Sequence, residues 1–191
     1  MGPQDSNSKT LVAIKTLNEP DDKDALHAFI AEIKILSNLQ PHLNLVNMIG
    51  CCTSEYNNDN PDIWLLLEFC NHGNMKEFLI ENRPQFFRSS NMKEDQESNH
   101  QLDGRRFVSW CYDIAKGMEY LEAHKIMHGD LAARNVLIDD DPGMCGNLVA
   151  KVADFGLSKR FYDNIRYVKE QRVYVPWKWM SIEYLTDSFF T

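Results

Sequence analysis

The 191-residue chain has no cysteine pair at CxxC spacing, no apolar run of membrane-spanning length and no surplus of basic residues. Each absence removes a class of function. Its five cysteines, Cys51, Cys52, Cys70, Cys111 and Cys145, are odd in number and have no histidines at zinc spacing, which argues against a disulfide scaffold or a zinc module. They read as reduced, mostly buried thiols. No stretch approaches the roughly 18 apolar residues that a spanning helix needs, and the polar start Met1-Gly2-Pro3-Gln4-Asp5-Ser6 is no signal peptide. That start meets the bare M-G-x-x-x-[ST] acylation pattern, but Pro3 stiffens the segment an acyltransferase would thread. Any membrane anchor is expected outside this chain. With 20 Lys and Arg against 28 Asp and Glu, the formal net charge is -8, so no basic stripe is available for nucleic acid.

Three separated runs carry the chemistry: Val12-Ala13-Ile14-Lys15, His128-Gly129-Asp130-Leu131-Ala132-Ala133-Arg134-Asn135, and Asp154-Phe155-Gly156. Moving a γ-phosphoryl group requires a carboxylate beside the attacking hydroxyl, oxygen ligands for Mg²⁺ and a cation on the remaining phosphates. Asp130, the pair Asn135 and Asp154, and Lys15 supply these in turn. Taken singly, Asp-Phe-Gly is a common turn and Val-Ala-Ile-Lys an ordinary strand with a solvated lysine. Their order along the chain and the elements around them set this set apart.

Leu11 to Leu17 reads as a strand, and Asp21 to Asp24 as a polar turn with cap candidates. Leu26, Phe29, Ile30, Ile33, Leu36 and Leu39 then repeat at helical period and set Glu32 beside an apolar stripe, seventeen places after Lys15. Leu45 to Cys52 and Ile63 to Phe69 are two further strands joined by the polar loop Ser54 to Pro61, and a short helix follows the break at His72-Gly73-Asn74. Arg83 to Gly104 is charged and aperiodic, as in a loop or insert. Phe107, Cys111, Ile114, Met118 and Leu121 mark one face of a second long helix. After Asn135 come strands Val136 to Ile138 and Leu148 to Ala153, separated by the acidic stretch Asp139 to Asn147.

On these motifs the chain resembles the protein kinases, and within them the tyrosine kinases. Ala132 stands where serine/threonine kinases carry a lysine, Arg134 lies four places after Asp130, and Pro176-Trp177-Lys178-Trp179-Met180 is similar to the segment under a substrate tyrosine. The Glu68-Phe69-Cys70 run, Asn74 to Leu79 and the insert resemble split-kinase receptors of the platelet-derived and vascular endothelial growth factor type, with fibroblast growth factor receptors as a near alternative.

The resemblance implies an α+β, two-lobed kinase fold, incomplete at both ends, since no Gly-x-Gly-x-x-Gly precedes Val12 and the helices of the large-lobe floor are not in the chain. It divides the chain into a tail at 1–8, a partial small lobe at 9–68, a hinge and first large-lobe helix at 69–82, an insert at 83–104 and a partial large lobe at 105–191. It implies ATP-dependent phosphorylation of protein tyrosine, with ATP and Mg²⁺ or Mn²⁺ as cofactors. Asp130, Arg134 and Asn135 are then catalytic, and Asn135 and Asp154 hold the metal. Ala13, Lys15, Glu32, Leu67, Glu68, Cys70, Leu137 and Asp154 bind the nucleotide, with Glu32 pairing Lys15, Leu67 as gatekeeper and Ala153 lining the pocket.

Partners implied are tyrosine-bearing protein substrates and a second copy for phosphorylation in trans, at the cytoplasmic face of the plasma membrane. A silent interaction module and a soluble tyrosine kinase are the alternatives. Gly129 stands where the family has an arginine that pairs with the phosphorylated loop, and Ile182 replaces the proline before Glu183. Tyr167, rather than Tyr162 or Tyr174, is the expected autophosphorylation site. Arg160, Arg166 and Arg172 are its local partners, so that Gly129→Arg should enlarge the activation. With burial missing at both ends, residues 1 to 191 alone are not expected to fold cooperatively.

Overall fold

The computed structural model describes residues 10–17, 22–53, 63–89, 104–155, 159–160, 177–179 and 182. Tyr162, Tyr167, Tyr174, Arg166, Arg172, Pro176, Glu183, Gly156 and the Ser54 to Pro61 loop lie outside them, as do the side chain of Arg160 and most of the expected insert.

Strand β1 (Val12–Lys15) pairs antiparallel with β3 (Ile63–Glu68), which pairs antiparallel with β2 (Met48–Thr53), giving the order β1-β3-β2. The register sets Ala13 opposite Leu67 and Lys15 opposite Leu65. Side chains alternate along a strand, so Lys15 leaves the sheet on the same side as the fully buried Leu65. That is the side of helix α1 (Lys23–Leu36). The helix starts where the Asp22 carboxylate accepts the backbone N–H groups of Asp24 at 2.9 Å and Ala25 at 3.2 Å. It buries Phe29, Glu32, Ile35 and Leu36 on one face at three- and four-residue spacing.

The expected strand from Leu45 begins only at Met48. Asn44 to Val46 turn instead to strand β6 (Leu148–Val152): Val46 N–H donates to the Val152 carbonyl and Val152 N–H to the Asn44 carbonyl, both at 2.9 Å. Helix α2 (Met75–Ser89) runs seven residues past the expected boundary at 82, through Pro84. Proline removes one helical hydrogen bond and this turn tolerates the loss, so the aperiodic reading from Arg83 does not hold before residue 90.

Helix α3 (Gly104–Ala123) buries Trp110, Gly117 and Leu121. Cys111, assigned to its apolar face, is exposed, because the buried stripe passes through Trp110 instead. The expectation of mostly buried thiols fails more widely: Cys51, Cys52, Cys111 and Cys145 are exposed and Cys70 alone is buried. The first two lie on β2, at an edge of its sheet, where no further strand covers them among the described residues.

After the short β4 (Ile126–Met127), which pairs with β7 (Lys159–Arg160), the chain enters the 3-10 turn Ala133–Asn135. Strands β5 (Val136–Asp140) and β6 then form an antiparallel hairpin.

One apolar cluster joins Phe29, Ile35 and Leu36 of α1 to Leu65, Leu121, Val152 and Phe155. A second packs Trp110 on Met75, Val136, Ile138, Leu148 and Ala150. Phe78 and Phe107 meet the Trp110 ring edge-on at 5.8 Å, contacts worth about 0.5–1.5 kcal/mol each beyond their burial. Among the described residues the indole N–H has no hydrogen-bond partner, which offsets part of that gain. Both clusters border the residues between 128 and 155, so the core holds the motif-bearing loops in place.

Candidate active site

The structure gathers the three sequence runs into two linked groups. In the first, Lys15 Nζ lies 2.8 Å from both carboxylate oxygens of Glu32 and 2.8 Å from Asp154 Oδ1. These partners come from β1, α1 and the segment after β6, so the cluster forms only when distant parts of the chain meet. Glu32 is 2 % exposed at its side chain and Asp154 is 49 % exposed, so one partner of the lysine is fixed in the core and the other faces solvent.

Burial acts to lower the Lys15 ammonium, but Glu32 and Asp154 together hold it above the ordinary lysine value. Burial, with the Asp154 charge adding, pushes the Glu32 carboxyl above its ordinary value against the pull of Lys15. A backbone hydrogen bond from Phe155 also reaches Glu32. Phe155 itself is buried beside the His128 ring, with centroids 5.5 Å apart. Asp154 has a φ of +64°, a left-handed conformation uncommon for a side-chain-bearing residue and tolerated best by Asp and Asn.

The second group comes from the His128–Asn135 run. Asn135 Nδ2 donates to the Asp130 carbonyl and to Asp130 Oδ2, each at 2.8 Å, and Arg134 Nη2 donates to Asp130 Oδ1. Both amide hydrogens of Asn135 are thereby engaged, which leaves its Oδ1 as the atom suited to an oxygen-seeking cation. His128 locks the loop to the strand: Asp130 N–H donates to its Nδ1 at 3.2 Å, so its Nε2 must carry the proton donated to the Ala153 carbonyl at 2.9 Å. Burial lowers the imidazole below its usual value, in keeping with that neutral tautomer. The two groups are joined because Ala153 N–H donates to the Asn135 carbonyl at 2.8 Å, placing Asp154 next to Asn135.

Leu67, Cys70, Leu137 and Ala153 pack together around Val46, which sequence reasoning did not single out, to form one apolar wall. Ala13 faces Leu67 across β1 and β3. Burial, with Asp139 and Glu68 adding, pushes the Cys70 thiol up to about 12, so it packs as an apolar group. Glu68 N–H donates to the Asn47 carbonyl at 3.0 Å, and its carboxylate accepts from Asn47 N–H at 3.0 Å, Asn47 Nδ2 at 3.1 Å and Lys151 Nζ at 3.1 Å. Lys151 is buried in β6. Neither Asn47 nor Lys151 was singled out from sequence, although a lysine inside the apolar run Leu148 to Ala153 signals a buried partner. Beyond the catalytic loop, the 3-10 turn Trp177–Trp179 lays the Trp179 ring under the Arg134 guanidinium, 4.6 Å from its carbon to the ring centroid.

The donor set suits a hard divalent cation. Asn135 Oδ1 and the Asp154 carboxylate are oxygen ligands, and Mg²⁺ is commonly held by one or two such groups with phosphates and water completing its shell. Among the described residues no cluster of three or more His, Cys, Asp or Glu exists that could hold a metal without a ligand's help.

A family model described as protein tyrosine and serine/threonine kinase matches residues 1–191. Over 186 residues the chain is 32 % identical to fibroblast growth factor receptor homolog 1 of Drosophila melanogaster, a match covering 96 % of this chain and 24 % of that protein. It is 35 % identical to the fibroblast growth factor receptor of Ciona intestinalis over 186 residues, 96 % of this chain and 23 % of that protein. It is 33 % identical to the tyrosine kinase receptor Cad96Ca of Drosophila melanogaster, over 95 % of this chain and 22 % of that protein. The chain therefore spans about a quarter of the length of the curated relatives it matches.

Proposed function

The chain belongs to the protein tyrosine and serine/threonine kinase family, and from that premise we propose that it is the ATP-dependent, tyrosine-phosphorylating region of a receptor kinase. The observation that carries this reading is Lys15 Nζ at 2.8 Å from both Glu32 and Asp154, residues 17 and 139 positions away. A solvated strand lysine has no need of such partners, whereas a phosphate-binding cation beside a metal carboxylate does.

In this reading the wall of Leu67, Cys70, Leu137 and Ala153, with Ala13, would hold the adenine of ATP, and backbone groups of Glu68 and Cys70 would bond its edge. Lys15, braced by Glu32, takes the α and β phosphates. Asn135 and Asp154 would hold Mg²⁺, or Mn²⁺ in its place, which would neutralise charge on the phosphates. Asp130 orients the tyrosine phenol and takes its proton as the phenol oxygen bonds to the γ-phosphorus and the bond from that phosphorus to the β–γ bridging oxygen breaks, with ADP as the leaving group. Arg134 places a guanidinium beside that carboxylate, where it can meet the transferring phosphoryl oxygens. Tyrosine rather than serine is favoured by Arg134 four places after Asp130 and by the tryptophan-bearing turn next to it.

The substrates are proteins carrying tyrosine, and a second copy of the receptor serves as substrate in trans. Among the described residues no helix is long and apolar enough to cross a membrane. The receptor reading places this region on the cytoplasmic side of the plasma membrane through a segment elsewhere in the protein.

The test is Asp130→Asn in the protein that carries this chain, assayed on a tyrosine peptide and for nucleotide binding. Turnover is expected to fall by about 10²–10⁴, the range for losing a general base, with nucleotide affinity within about threefold. Unchanged turnover would overturn the assignment. Loss of nucleotide binding in the same variant would recast Asp130 as structural.

A further inference from the structure

We propose that Trp179 is a positioning residue for phosphoryl transfer, its ring holding the Arg134 guanidinium in the plane from which it grips Asp130. The inference rests on the kinase reading above and deepens it. The two oxygens of Asp130 are controlled differently. Oδ2 is held by Asn135, five residues on and rigidly placed by its own backbone bonds to Ala132 and Ala153. Oδ1 is held by Arg134, a long side chain 38 % exposed to solvent. An exposed ion pair alone fixes such a side chain poorly, because ordering its rotamers opposes the gain. The second contact is the Trp179 ring at 4.6 Å, within the range for a cation over an aromatic face.

The ring is not there to fill a core. Trp179 is 51 % exposed and its neighbour Trp177 63 % exposed, and Lys178 Nζ stands 5.4 Å from the Trp177 ring centroid. The turn Trp177–Trp179 thus presents two aromatic faces, each with a cation. One of those cations is its own and the other belongs to the catalytic loop. Guanidinium suits this double duty because its edge donates to a carboxylate while its face stacks, which an ammonium cannot do. Movement of the turn therefore reaches Asp130 through one side chain.

The experiment uses the protein that carries this chain. The variants are Trp179→Phe, Trp179→Leu, Arg134→Ala and the Leu/Ala double substitution. Each is measured for kcat, for KM of ATP and of a tyrosine peptide, and by nitrogen-15 NMR of the Arg134 guanidinium. Trp179→Leu is expected to lower kcat about tenfold with KM for ATP unchanged, in the range of a cation–π contact. Trp179→Phe should retain kcat within about threefold, because it keeps a π face. In the Arg134→Ala background the Leu substitution should add nothing, whereas a ring that merely supports the turn would give additive losses. Restricted guanidinium rotation should be seen with Trp179 and lost with Leu.

Additive losses, or free guanidinium rotation in the unsubstituted protein, would overturn the proposal. If Trp179→Leu fails to fold, Trp179→Met fills the space without a π face and takes its place. The NMR arm reads the stack whether or not phosphate is transferred. Inactivity of the unsubstituted protein would therefore count against the kinase reading, with the rotation measurement still deciding the stack.

Discussion

One backbone angle and one imidazole decide how the His128–Asn135 loop responds to change at the residue scale. Gly129 has a φ of +81°, where a side chain crowds the following carbonyl at about 1–2 kcal/mol. Installing the family's arginine there is consequently not a simple restoration. In the protein that carries this chain, Gly129→Ala and Gly129→Arg should lower stability by a similar amount, about 1–2 kcal/mol by denaturant unfolding. The guanidinium's own contribution to activation by phosphorylation is then the difference between the two. A stable Gly129→Ala variant would show that the loop relaxes to another conformation. His128 gives the pH dependence. Its folded value lies below the ordinary 6.5, so under mildly acidic conditions the unfolded chain binds a proton that the folded one refuses. Stability is full above about pH 6.5 and falls as pH drops below it. Nitrogen-15 shifts should report an Nε2-protonated neutral ring that titrates with a midpoint below 6.5; a midpoint at or above 6.5 would contradict the buried tautomer.

At the scale of elements, what was legible in the sequence is what periodicity and fixed spacing encode. Helix α1, strands β1, β3, β5 and β6, and helix α3 stand where apolar repeats put them, within a few residues at each end. The misses have physical causes. Cys111 matched the helical period, but the stripe is centred on Trp110, and period alone does not fix phase. Leu45 and Val46 are apolar enough for a strand, yet a tertiary ladder to Val152 claims them. Gly117 shows how tightly that ladder is held. A Cβ there would meet the Asn44 carbonyl at 2.6 Å, the same carbonyl that accepts from Val152 N–H, and backbone cannot yield as a flexible side-chain tip can. Gly117→Ala should therefore destabilise by about 1–3 kcal/mol, as overpacking of a filled interior does, despite alanine's better helix propensity. An unfolding midpoint unchanged or raised would mean that α3 can shift away from the loop.

Across the whole molecule, the site depends on joins that no local pattern encodes. Helical phase set Glu32 beside the apolar stripe and only the kinase resemblance implied its pairing with Lys15, as the motif did the role of Asp154, but that all three meet through one ammonium is a property of the assembled chain. Asn47 and Lys151 were missed for the same reason: their partner Glu68 lies 21 and 83 residues away, with no repeat to announce it. The same geometry ranks the partners of Lys15. Glu32 is locked in the core, bonded by the Phe155 backbone, whereas Asp154 is half exposed and can exchange the ammonium for another cation. The metal should accordingly compete with Lys15 for Asp154, the nucleotide phosphates taking Asp154's place at Lys15, and leave the Lys15–Glu32 pair intact. The two acidic partners then have separable signatures in calorimetric titration of ADP, with and without Mg²⁺. Asp154→Asn should abolish the Mg²⁺-dependent gain in affinity while leaving metal-free binding within about threefold. Glu32→Gln should weaken binding about tenfold under both conditions, the loss of one charge-assisted hydrogen bond, with the Mg²⁺-dependent gain retained. If instead Asp154→Asn weakens binding equally with and without metal, Asp154 acts on nucleotide through Lys15 and not as a metal ligand.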